Sequence, residues 1–76
     1  MIPHIERPDR QTVKSSNIYS IGYDENNSTL EIEFHDSYIY QYLDFPRHIY
    51  QELINSDSIG GYLARSIKGY FRYSRV

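Results

Sequence analysis

The stretch from Thr29 to Tyr42 reads Thr-Leu-Glu-Ile-Glu-Phe-His-Asp-Ser-Tyr-Ile-Tyr-Gln-Tyr and leaves this chain few ways to fold. Its first half alternates strictly, with Leu30, Ile32 and Phe34 on one side and Glu31 and Glu33 on the other. A period of two describes a strand with one dry and one wet face. The second half alternates too, Tyr38, Tyr40 and Tyr42 against Ile39, Gln41 and Leu43. Between them His35-Asp36-Ser37 is short and polar enough for a hairpin turn. A small antiparallel sheet is therefore predicted.

Seventy-six residues make one domain with a thin core. The chain has no cysteine, so neither a disulfide nor a thiolate metal site can brace it. Nine tyrosines and three phenylalanines must supply bulk to the core, contacts to a partner, or both. No basic segment followed by an apolar run opens the chain, and no apolar run is long enough for a membrane span, so a cytoplasmic location is expected. The net charge of -2 argues against a generic polyanion binder, but its distribution is uneven. Residues 1–44 carry three basic and eight acidic side chains, a net of -5, while residues 45–76 carry five and two, a net of +3. From Tyr62 onward there is no acid at all.

In chain order, residues 1–12 hold two prolines and little apolar matter, which reads as an extended or disordered arm ahead of a domain over 13–76. Ile18 to Tyr23 is a predicted strand whose imperfect alternation calls for a bulge near Ser20 to Gly22. Asp24-Glu25-Asn26-Asn27-Ser28 is a turn. After the two strands of the central stretch, Asp44-Phe45-Pro46 switches the period from two to 3.6, with Asp44 as the expected helix cap. One helix runs from Pro46 to about Asn55. A second runs from about Ser58 to Ile67, with Ile59, Tyr62, Leu63, Ser66 and Ile67 on one face. Gly69 stops it, and Tyr70 to Val76 alternates well enough for a short last strand. The fold class is α+β: a three-stranded antiparallel meander, two helices and an optional final strand.

Several short segments follow one another in an order that resembles the KTSC domain. They are Ser15-Ser16-Asn17-Ile18, Ile21-Gly22-Tyr23-Asp24, Leu30 to Phe34, Tyr40-Gln41-Tyr42, Phe45-Pro46 with Ile49-Tyr50, Ser58-Ile59-Gly60, Tyr62, Ile67-Lys68 and Tyr73. The resemblance covers about Val13 to Val76. It implies a module found alone in bacterial and phage proteins and at the C-terminus of some lysyl-tRNA synthetases, with RNA binding suggested by that association. The hairpin departs from the pattern, because His35-Asp36-Ser37 stands where members usually carry a glycine.

Two candidate sites emerge. The rings of Tyr40 and Tyr42 either join the core or form an open platform for stacking bases, and the hairpin register decides between them. In the tail, Arg65, Lys68, Arg72 and Arg75 interleave with Tyr70 and Tyr73, a pattern suited to phosphates and bases. The same cations could instead neutralise acids such as Glu31 and Glu33. The glycines after Ser58 could admit an anion at a helix start or merely allow close packing. Catalysis by His35, Asp36 and His48, or a metal held by His4, His35 and His48, has little support from spacing. The expectation is a non-catalytic module without a cofactor, binding RNA or a small nucleotide. The alternative is a protein-interaction or self-assembly module, including a homo-oligomeric sponge for a signalling nucleotide.

Overall fold

A computed structural model describes residues 8–76. It contains one antiparallel sheet whose strands follow sequence order: β1 (Gln11–Thr12), β2 (Ile18–Asp24), β3 (Thr29–Phe34), β4 (Ile39–Tyr42) and β5 (Tyr73–Arg75). Between β4 and β5 lie α1 (Arg47–Asn55) and α2 (Ile59–Tyr62), the latter continued by a π-turn over Leu63–Ile67. Four strands therefore precede the helices rather than three. The additional one, β1, falls inside the segment expected to be an arm. The part of that arm over residues 1–7 lies outside the described residues.

The strand pairing gives the sheet two unlike faces. Tyr23, Leu30, Tyr42 and Tyr73 form one cross-strand row, and Ile21, Ile32, Tyr40 and Arg75 the next. The row between them is Gly22, Glu31, Gln41 and Ser74, whose side chains point to the opposite face because side chains alternate along a strand. The inner face is closed by the helices: Ile18, Ile21, Leu30, Ile32 and Tyr42 are buried together with Phe45, Leu53, Leu63 and Ile67. Removing one such side chain from water stabilises the fold by roughly 1.5–3 kcal/mol. Tyr23 locks the helical layer further, stacking on Tyr50 at 4.7 Å and donating a 2.5 Å hydrogen bond to the Phe45 carbonyl.

The outer face is polar and is crossed by the chain ahead of β1. Arg10 pairs with Glu31 and reaches Glu33 at 3.5 Å, while its Nε donates to Ser20 Oγ at 3.1 Å. Gln41 Nε2 donates to the other Glu31 oxygen at 2.9 Å. Glu31 is thus completely enclosed yet hydrogen-bonded, as a buried charge must be. Gly22 makes this crossing feasible, since a Cβ there would stand 2.3 Å from the Asp9 carbonyl oxygen.

Local departures from expectation have identifiable causes. The bulge lies between Ile18 and Ser20, slightly earlier than the alternation suggested. Asp44 does not cap α1. It adopts φ 53°, the helix starts after an extended Pro46, and no side chain caps it. Ser58 does cap α2, accepting the Gly61 N–H at 3.1 Å. In the hairpin, Ser37 takes φ 76°, with its N–H donated to the Phe34 carbonyl at 2.9 Å, so the missing glycine is replaced by a strained serine.

Candidate functional site

The segment after the π-turn determines where the candidate residues fall. Its closing bond runs from Lys68 N–H to the Leu63 carbonyl at 2.9 Å, five residues back, a geometry that recurs at functional sites. Lys68 is extended, Gly69 follows at φ 85°, and Tyr70 and Phe71 N–H groups return to the Ile67 carbonyl. Phe71 turns inward onto Phe45, 4.8 Å between ring centres. Tyr70 and Arg72, its neighbours, are left exposed, and β5 then pairs with β4.

This path brings Tyr73 against the tyrosines of β4. Tyr73 stacks on Tyr40 at 4.4 Å and 21°, and meets Tyr42 at 5.6 Å and a 48° tilt. Tyr40 is held from its other side by Phe34, edge-on at 5.1 Å. The hairpin register thus directs both β4 tyrosines to the inner face. Tyr42 is 1% exposed and belongs to the core, so it offers no free ring to a ligand. Burial, together with the neighbouring hydroxyls of Tyr73 and Tyr40, pushes its phenol up to about 12. Tyr73 and Tyr70, 54% and 75% exposed, are the candidate rings with open surface.

The cations are exposed. Among the described residues the salt bridges are those of Arg10 and of Arg47 with Glu25, and no carboxylate lies within 4 Å of Arg65, Lys68, Arg72 or Arg75. Glu31 and Glu33, the acids that could have neutralised them, are engaged by Arg10. Two of the four lie over rings instead: Lys68 Nζ stands 5.9 Å from the Phe34 centre and the Arg75 guanidinium 4.5 Å from that of Tyr38.

Shallow clefts border these groups; one of about 450 Å³ lies over residues 69–73 alone, and three others join wider parts of the chain. One of about 300 Å³ is lined by Tyr40, Tyr42, Lys68, Gly69 and Tyr73. On the far side of Tyr73 lies another of about 490 Å³, formed by Gln41, Leu43, Asp44 and residues 70–74. A third of about 450 Å³ continues beyond Lys68, past Phe34, His35, Asp36, Ser16 and Asn17. Arg65 and Arg75 line none of the three. Arg65 instead folds back over α2, where a Cβ on Gly61 would stand 2.9 Å from its Nη1. Gln41, Leu43, Gly69 and Ser74 were missed as lining residues, because nothing in their type marks them; only their neighbours in the tyrosine alternation do.

His4 lies outside the described residues, and the other two histidines are not paired. His35 Nε2 is hydrogen-bonded to the Ser15 carbonyl at 3.0 Å and its ring meets Tyr19 edge-on, while His48 is exposed on α1. No group of three metal-ligating side chains occurs among the described residues, and no described helix is long and apolar enough to cross a membrane.

Comparison with known proteins places this arrangement among relatives. The model of the KTSC domain family matches residues 14–71. An uncharacterized protein of Stutzerimonas stutzeri is 34% identical over 68 residues, which cover 88% of this chain and 96% of that one. A lysine–tRNA ligase of a Nostoc species is 35% identical over 63 residues, 83% of this chain but 11% of the ligase. A crystal structure of a KTSC domain protein from Yersinia pestis superimposes with a TM-score of 0.87 at 40% identity, covering 92% of this chain and 99% of that one.

Proposed function

The chain belongs to the KTSC domain family, and we propose that it is a non-catalytic binding module for RNA or a nucleotide-like phosphate ligand. The observation that carries this reading is that, among the described residues, no carboxylate is paired within 4 Å of the tail cations, in a chain whose net charge is negative. Exposed cations bordering exposed rings suit phosphates and bases together. Lys68 lines one cleft with Tyr73, and Arg72 lines another with Tyr70 and Tyr73. Some relatives are lysine–tRNA ligases, proteins named for an RNA, which favours RNA over other anions. The engagement of His35 with a backbone carbonyl supports a non-catalytic reading.

Fluorescence anisotropy with a short labelled single-stranded RNA tests the reading. Binding should weaken as salt rises, with a slope of about -0.7 per phosphate neutralised. Arg72→Ala should weaken it further and flatten that slope. Binding that ignores salt, or an Arg72→Ala protein that binds like the parent, refutes the reading.

A second reading, a protein-interaction or self-assembly module, has its own support. Among the described residues the outer edge of β5 is unpaired, and Leu43, Tyr70, Tyr73 and Val76 are exposed. Light scattering across a concentration series decides the self-assembly form, including a nucleotide sponge built from several copies. A strict monomer eliminates it.

A further inference from the structure

Resting on the nucleic-acid reading above, we infer that the ligand is a single-stranded oligonucleotide of at least three nucleotides with its bases unstacked, rather than a duplex or a free mononucleotide. The three clefts that reach beyond residues 69–73 are not independent. Lys68 is a wall of both the 450 Å³ cleft past His35 and the 300 Å³ cleft, and Tyr73 is a wall of both the 300 Å³ and the 490 Å³ clefts. They form a run of three concavities joined at two side chains, one a cation and the other an aromatic ring. The run passes through side chains already in contact: Lys68 over Phe34, Phe34 edge-on to Tyr40, and Tyr40 stacked on Tyr73.

A strand laid along this run would meet the Lys68 cation at one junction between hollows and the Tyr73 ring at the other. Each base has a π-face, so stacking along such a path tolerates sequence. The outer face of Tyr73 can extend the existing Tyr40–Tyr73 stack by one base. An A-form duplex cannot use the run, because its bases are stacked within the helix and only its edges and backbone are offered. A mononucleotide fills one hollow and forgoes the other two. Asp36 and Asp44 line the two outer clefts, each with one cation, Lys68 beside Asp36 and Arg72 beside Asp44, so a phosphate is favoured at the cation's wall of each cleft.

The test is a titration of the full chain with adenosine monophosphate, then labelled di-, tri- and hexanucleotide RNAs of mixed sequence, a twelve-base-pair RNA duplex and a hexaglutamate peptide as competitor. Affinity should rise at least about fivefold per nucleotide from one to three, the lower bound for a base on an aromatic ring, and change little beyond. The duplex should bind at least about tenfold more weakly than the hexanucleotide, and hexaglutamate should not displace RNA. Tyr73→Ala removes a wall shared by two clefts and should bring the trinucleotide close to the mononucleotide. Lys68→Gln alters an exposed side chain and should weaken the trinucleotide more than the mononucleotide even if Tyr73→Ala fails to fold. Equal binding of mononucleotide and trinucleotide, equal binding of duplex, or displacement by hexaglutamate overturns this inference. In the first two of these outcomes salt-dependent RNA binding still stands. If no nucleotide or RNA binds, both fall together.

Discussion

Replacing Arg10 with methionine should remove a large part of this domain's stability. Methionine keeps much of the apolar stem and deletes the cation over Glu31. That carboxylate is completely enclosed, accepting from Arg10 on one oxygen and from Gln41 on the other. Breaking a buried pair by removing one partner costs about 3–5 kcal/mol. Arg10 itself is a quarter exposed, so water can partly take its place and the lower figure, about 3 kcal/mol, applies. A domain of 76 residues has roughly 4–11 kcal/mol in total. The loss should appear as a fall in melting temperature of about 12–24 °C by calorimetry or circular dichroism. Glu31→Gln in the Arg10→Met background removes the charge that Arg10 had faced and should recover more than half of that loss, a coupling that a double-mutant cycle reads directly. A loss below about 0.5 kcal/mol, or a double variant no more stable than the single one, would show that the outer face is not held by this pair.

Other outcomes follow from neighbouring geometry. Gly22→Ala should cost about 1–3 kcal/mol, because its Cβ collides with the Asp9 carbonyl, and should combine with Arg10→Met less than additively since both loosen the same crossing; strict additivity in chemical denaturation contradicts this. Ser37→Gly should stabilise by about 0.5–1 kcal/mol by relieving a left-handed serine, net of the freedom glycine adds to the unfolded chain; a destabilised variant would disprove the strain. Tyr42 should be among the last tyrosines to ionise in an ultraviolet titration, near pH 12. Its folded value lies above the unfolded 10.0, so the stability it contributes is complete below pH 10 and is lost as pH rises from 10 toward 12. Tyr42→Phe should remove that late phase, and its persistence would reassign it.

The sheet was legible where side chains alternate, and hidden where they do not. Leu30, Ile32 and Phe34 announce β3 by period alone. Gln11 and Thr12 carry no apolar signal, both are exposed, and their strand exists only through long-range pairing with Ser20 and Ile21. For that reason the arm also concealed Arg10, which engages the acids that sequence offered to the tail cations. The second helix shows a clean stripe, but Ile59, Leu63 and Ile67 recur every four residues in an α-helix and beside a π-turn alike, so the change of winding left no mark. At the candidate site the types were legible and the pairing was not. The register that sends Tyr42 into the core and Tyr73 against Tyr40 depends on the hairpin turn, where Ser37 adopts a backbone conformation that serine seldom signals.

The most direct test of the account is an amide chemical-shift titration with a trinucleotide RNA. The account predicts that the largest shifts fall between Lys68 and Ser74 and at Tyr40 and Gln41, diminishing as salt is raised. Shifts confined to α1, or to the outer face around Glu31 and Glu33, would contradict it.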